Sequence, residues 1–125
     1  MAGINRIGRV LVPVSDQDRA IVFYTESLGF TLLADVPYAG GERWVEVGPP
    51  GGGASIALAP PRGDFQPGRS TGVSLSSSDV RGTHAAWREQ GVDVDAEVIG
   101  GEDGVPLLFF FRDRDGNQLF VAEER

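Results

Sequence analysis

The sequence predicts an α+β fold built from two βαβββ modules, each covering one face of its sheet with a single helix. Three observations point there. Short alternating apolar runs give way to one stretch at helical spacing and then resume, and the whole order occurs twice. The second half repeats the first at a constant shift of 63 positions. A stretch dense in proline and glycine, residues 60–68, lies between the halves. One domain, residues 1–125, is therefore expected, with repeat units at about 5–60 and 68–123 and a linker at 60–68.

The elements follow in order. Arg9–Val14 alternates and is rich in valine, so it reads as a strand. Ser15, Asp16 and Asp18 supply a capping group and negative charge for a helix start. Ile21, Tyr24 and Leu28 continue at helical spacing, and Gly29 supplies the stop. Phe30–Pro37, Glu42–Val47 and Ala54–Ala59 read as three strands separated by glycine-rich turns. After the linker, Thr71–Ser77 is a strand, Asp79–Gln90 a helix ended by Gly91, and Val92–Val98 a strand. Val105–Arg112 and Gln118–Ala122 complete the set, joined by the turn Asp113–Asn117.

Sliding one half over the other places Val10, Val12 and Val14 on Val73, Leu75 and Ser77. Asp16 falls on Asp79, Tyr24 on Trp87 and Gly53 on Gly116. Ile56 and Leu58 fall on Leu119 and Val121, and only the helix-ending glycines are out by one.

Composition narrows the function classes. The net charge is −7 and all 11 basic residues are arginine, a balance that disfavours binding to a phosphate backbone. It suits a soluble domain and would attract a cationic ligand. There is no cysteine, which removes disulfides and thiolate metal sites. No apolar run is long enough to span a bilayer, and no apolar leader precedes the first strand, so a cytoplasmic protein with no membrane partner is expected.

The run Val12-Pro-Val-Ser-Asp16 into Arg19-Ala-Ile-Val-Phe-Tyr24, then Leu28-Gly-Phe30, resembles the vicinal oxygen chelate superfamily of glyoxalases, bleomycin-resistance proteins and extradiol dioxygenases. Asp79-Val80, Gly91-Val92 and Arg112-Asp-Arg-Asp-Gly-Asn117 carry the likeness into the second half. The resemblance implies a curled mixed sheet around a cleft, with the helices on its outer face. It also implies, for metalloenzyme members, two ligands per module, on the first and last strands. Those four positions here are Arg9, Ala57, Gly72 and Phe120, and none offers a donor to a divalent ion. The lone histidine, His84, sits on the second helix and is expected at the helix–sheet contact. No metal and no cofactor are expected.

Strand alternation then selects the cleft wall. Val10, Val12 and Val14 are expected to pack under the helix, leaving Arg9, Leu11 and Pro13 for the cleft. The same parity gives Trp44 and Glu46, Ser55 and Ala57, Gly72, Ser74 and Ser76, Gln118 and Phe120. Carrying the 63-residue shift to the remaining strand adds Leu107, Phe109 and Phe111. The expected ligand-binding set is Arg9, Leu11, Trp44, Glu46, Ala57, Ser74, Phe109, Phe111, Gln118 and Phe120. Its make-up, mostly apolar with sparse polar groups, is that of a small-molecule site.

Several readings stand side by side. The first is a metal-free protein that binds an aromatic or cationic small molecule, as the resemblance to the drug-sequestering members implies. The second is a metal-independent enzyme using Arg9 and Glu46 as an electrostatic and acid–base pair. The others are a metal-dependent enzyme with unrecognised ligands, and a subunit whose cleft side chains form a dry core. The resemblance implies a homodimer as the assembly. Arg9 needs either Glu46 or a ligand anion as its partner.

Overall fold

The computed structural model describes residues 2–124 and divides into two compact units, one ending at Phe65 and the next beginning at Gln66. In the first, strand β1 (Arg9–Pro13) leads into helix α1 (Gln17–Val22) and a π-helical turn over Phe23–Ser27. Strands β2 (Thr31–Tyr38), β3 (Glu42–Gly48) and β4 (Ser55–Ala59) follow. They form a mixed sheet in the order β1-β4-β3-β2, with β1 parallel to β4 and the other pairs antiparallel.

The second unit repeats this order. Strand β5 (Ser70–Ser77) precedes helix α2 (Val80–Glu89), then come β6 (Asp93–Val94), β7 (Leu108–Arg112) and β8 (Gln118–Glu123). Its sheet runs β5-β8-β7-β6, again with the first and last strands parallel. The fold is thus α+β, with two four-stranded mixed sheets and one helix on each.

Both helices begin the same way. The Asp16 carboxylate accepts the Arg19 backbone N–H at 3.0 Å, and the Asp79 carboxylate accepts that of Gly82 at 3.0 Å. Each bond satisfies a donor that the first helical turn leaves orphaned. Ala20, Phe23, Tyr24 and Leu28 then go into the first core with Val12, Val14, Val45, Val47, Ile56 and Leu58. In the second unit Val80, His84 and Val92 are buried with Phe109, Phe111, Leu119 and Val121. Each fully buried aliphatic or aromatic side chain contributes about 1.5–3 kcal/mol.

The π turn accounts for the glycine mismatch. The Leu28 N–H reaches back to the Phe23 carbonyl at 3.2 Å, the wide-ring bond of a helix holding one additional residue. That residue lies between Tyr24 and Gly29, so Gly29 and Gly91 are 62 apart while Tyr24 and Trp87 are 63 apart.

Two strands are shorter than expected. Of Val92–Val98 only Asp93–Val94 is a strand, with a single further bridge between Ile99 and Leu108. The Asp95 carbonyl is taken by His84, which interrupts the ladder, and the chain bows out over residues 96–98. Val105–Leu107 lies before β7 in a glycine-rich turn where the Gly101 N–H bonds the Val105 carbonyl.

Candidate functional site

Cross-strand register decides which side chains share a face, because partners on neighbouring strands point the same way. In the first unit Arg9 pairs with Ser55, Leu11 with Ala57 and Glu46 with Ala57, while Trp44 pairs with Val36. Arg9, Leu11, Trp44, Glu46, Ser55 and Ala57 therefore occupy the sheet face opposite α1. Of these, Ala57 is on the expected face but almost wholly buried between larger neighbours. Pro13, also assigned to this face, is buried at the end of its strand.

The centre of this face is the Glu46 carboxylate. Its Oε2 accepts the Ser55 hydroxyl at 2.5 Å. Its Oε1 accepts the Trp44 indole N–H at 2.7 Å and the Arg9 Nε–H at 3.1 Å. The side chain is only 13% exposed. Bonds to the charged form lower a carboxyl pKa while burial raises it. Here the Ser55 bond leads, followed by opposing desolvation and then Trp44 and Arg9, and the balance holds Glu46 below its ordinary value of 4.5. A carboxylate held ionised by three donors is a poor general base.

Arg9 is placed differently. It is 49% exposed and gives Glu46 only its Nε–H, while its guanidinium carbon sits 5.8 Å from the Trp44 ring centroid. Trp44 is thus fixed by its N–H, by the guanidinium and by an edge contact with Tyr38 at 6.4 Å. The result is a preset aromatic wall beside a half-exposed arginine that uses its Nε–H on Glu46.

In the second unit, Ser74 pairs with Phe120, Phe110 with Phe120, Leu108 with Ala122 and Arg112 with Gln118. The face opposite α2 therefore carries Ser74, Leu108, Phe110, Arg112, Gln118 and Phe120. The Phe110 and Phe120 rings lie 5.4 Å apart. Arg112 is spent within its own unit. It donates to both Asp93 oxygens at 2.9 and 3.1 Å, to Asp95 at 2.7 Å and to the Gln118 side-chain amide oxygen at 3.4 Å. The Asp93 bond, opposed by desolvation and aided by Asp95, raises its pKa above the usual arginine value.

The expectation for Phe109 and Phe111 is reversed. Both are fully buried on the helix face, where Trp87 meets them at 5.9 and 4.9 Å and His84 meets Phe109 at 4.9 Å. Leu107 shares their parity and packs toward Gly101. The cause is turn length. Six residues separate β3 from β4 but five separate β7 from β8. Ala57 and Phe120 are 63 apart, whereas their partners Glu46 and Phe110 are 64 apart. A one-residue change flips every side chain of a strand to the other face. Leu108 and Phe110 take the places assigned to Leu107 and Phe109, and the two turn lengths were the signal in the sequence.

Gly72 also departs from its assignment. The ladder jumps from Ser70–Gln118 to Ser74–Phe120, leaving a bulge over residues 71–73 with Gly72 at φ +72°. The Thr71 hydroxyl pins the bulge by donating to the Gln118 carbonyl and accepting the Val73 N–H. His84 donates Nε2–H to the Asp95 carbonyl at 2.7 Å and borders a shallow depression with Arg81, Ala96, Glu97 and Val98. The Asp113–Asn117 turn is a structural knot. The Asp113 carboxylate accepts the backbone N–H groups of Asp115 and Asn117 and the Asn117 amide, while Asn117 accepts the Gly68 N–H. Its residues hold the turn and therefore mark the fold.

A duplicated βαβββ ladder, with parallel first and last strands in each half, defines a protein of the glyoxalase-fold class. The chain belongs to the Glyoxalase/Bleomycin resistance protein/Dioxygenase superfamily, whose sequence profile matches residues 6–121. It is 32% identical over 123 residues to the uncharacterized protein YetH of Bacillus subtilis (strain 168), covering 96% of this chain and 99% of that one. The structure resembles a superfamily member from Sphaerobacter thermophilus DSM 20745 with TM-score 0.89 and 33% identity, over 97% and 98% of the two chains. It also resembles TnmS3, an antibiotic binding protein from Streptomyces sp. CB03234, with TM-score 0.86 and 35% identity over 100% of both chains.

The metal of the superfamily's metalloenzymes has four expected places, here Arg9, Ala57, Gly72 and Phe120. A guanidinium, a methyl group, a bulged glycine and a phenyl ring do not fit a divalent ion. Among the described residues no group of three or more His, Cys, Asp or Glu is arranged to hold one. No helix of the described chain is long and apolar enough to cross a membrane.

Proposed function

We propose that this protein is a metal-free binder of planar aromatic small molecules, of the antibiotic-sequestering type, and that the face carrying Arg9, Trp44 and Glu46 takes the ligand. One observation carries the reading. The Glu46 carboxylate accepts from Ser55, Trp44 and Arg9, so its role is to fix an indole and an arginine in place. Sites that bind without reacting profit from such rigidity, because little side-chain freedom is lost on association. The likeness to TnmS3, an antibiotic binding protein, supports the same reading. A metal-independent enzyme built on Arg9 and Glu46 is disfavoured, since Glu46 is held ionised by three donors and is a poor acid or base.

Thermal-shift measurements against flat polycyclic compounds, followed by analysis of the recovered compounds, test the proposal. Stabilisation that grows with ligand concentration, with every compound recovered intact, is the expected result. Conversion of a stabilising compound, or no stabilisation by any member of the series, would contradict it.

A further inference from the structure

The sequence leaves the charge of the ligand open between neutral, cationic and anionic. We infer that the terminal edge of the Arg9 guanidinium binds an ionised oxygen, so the preferred ligands are aromatic acids and phenolates, with Trp44 as the wall beside the ring. This rests on the proposal above that this face is the binding surface.

What this face has left to offer a ligand is a donor rather than an acceptor. Glu46 Oε1 accepts two donors and Oε2 a third, and the carboxylate is nearly out of reach of solvent. With three donors already on it, the carboxylate has little left to offer a cationic ligand. Arg9 is the reverse case. A guanidinium carries five N–H donors. Only the Nε–H has an acceptor among the described residues, and half the side chain is exposed. The pair of terminal nitrogens forms the planar fork that matches a carboxylate bidentately.

Arg112 shows that this freedom is not a general property of arginines on these sheets. It sits on the corresponding face of the second unit with all three nitrogens bonded to Asp93 and Asp95. The first unit also has acidic side chains close to another arginine, since Arg43 is held by Asp18 and Asp35. Neither of these touches Arg9. The net charge of −7 repels anions at long range, yet physiological salt screens such a field within about 8 Å, so the nearest charge dominates at contact.

The test uses three probes with one ring system: 2-naphthoate, the neutral 2-naphthamide and the cationic 2-naphthylmethylammonium. Titration calorimetry on the intact chain at pH 7 is expected to show the carboxylate about tenfold tighter than the amide, the usual scale for one charge-assisted bidentate contact, and the cation weakest. Arg9→Gln is expected to erase the preference, so that carboxylate and amide then bind the variant with similar affinity. Equal affinity of carboxylate and amide, or tightest binding of the cation, would overturn the inference and leave the aromatic-binding reading standing. Absence of binding by all three would count against both. The wild-type ranking needs no variant, so a folding defect in Arg9→Gln does not shield the inference.

Discussion

The two units share a ladder and diverge in what they mount on it. Both pair a first strand parallel to a last strand, and Leu11 opposite Ala57 corresponds to Ser74 opposite Phe120 at the same 63-residue spacing. On the face away from the helix, the first unit gathers Arg9, Trp44, Glu46 and Ser55 into one hydrogen-bonded group. The second mounts Leu108, Phe110 and Phe120 and ties its arginine to two aspartates at the sheet edge. Duplication thus preserves strand order and the parallel pairing of first and last strands, while register slips by one residue at β7 and the ladder bulges at Gly72. It leaves free the side chains on the second face, which the core does not need. Chemistry accordingly has to be read unit by unit.

The largest effect is expected at β7. Phe109→Ala removes a fully buried ring against His84 and Trp87 and is expected to cost about 3–5 kcal/mol in denaturant unfolding. Phe110→Ala, on the other face and partly exposed, is expected to cost clearly less. Equal costs would show that the assignment of faces in the second unit is wrong.

Glu46→Gln probes the polar centre of the first unit. Losing the charge that three donors serve is expected to cost about 1–3 kcal/mol. The pH dependence has a definite sign. Because the folded pKa lies below the ordinary value of 4.5, the carboxylate stabilises the fold above that pH. The contribution disappears as pH falls through the lowered folded value. The stability gap between wild type and Glu46→Gln should therefore close in acid, measured by urea midpoints from pH 7 downward. A gap that widens in acid would contradict the hydrogen-bond assignment.

The smallest effect belongs to Arg9→Ala. From sequence, a buried Arg9–Glu46 pair would make this change cost about 3 kcal/mol or more. The structure leaves Arg9 half exposed and gives Glu46 two other donors, so the expected stability loss is under about 1 kcal/mol. A loss near the larger figure would mean that Arg9 serves the fold more than a ligand.

Much of the fold was legible because it rests on strong local signals: the two capping aspartates, the valines of β1 and β4's apolar alternation. The faces of the first unit were legible for the same reason, since Arg9, Leu11, Trp44 and Glu46 lie where alternation puts them. What escaped was register. Phe109 and Phe111 were misplaced because a repeat that is constant over β1 and β4 gains one residue at β3, and period-two strands amplify that into a change of face. The Gly72 bulge and the π turn at Phe23–Ser27 are likewise single-position events that composition does not announce. Glu46 was legible as a polar group on this face, but its saturation by Ser55 and Trp44 depends on side-chain geometry across two strands.

On the proposed reading, the first unit's face binds its ligand without a metal. The most direct measurement is calorimetric titration of chelator-stripped protein with 2-naphthoate, repeated after adding zinc, manganese or ferrous ion. The same affinity is expected in every case, with no stoichiometric metal in the protein as purified. Binding that appears only with a divalent ion, or one tightly held ion per chain, would contradict it.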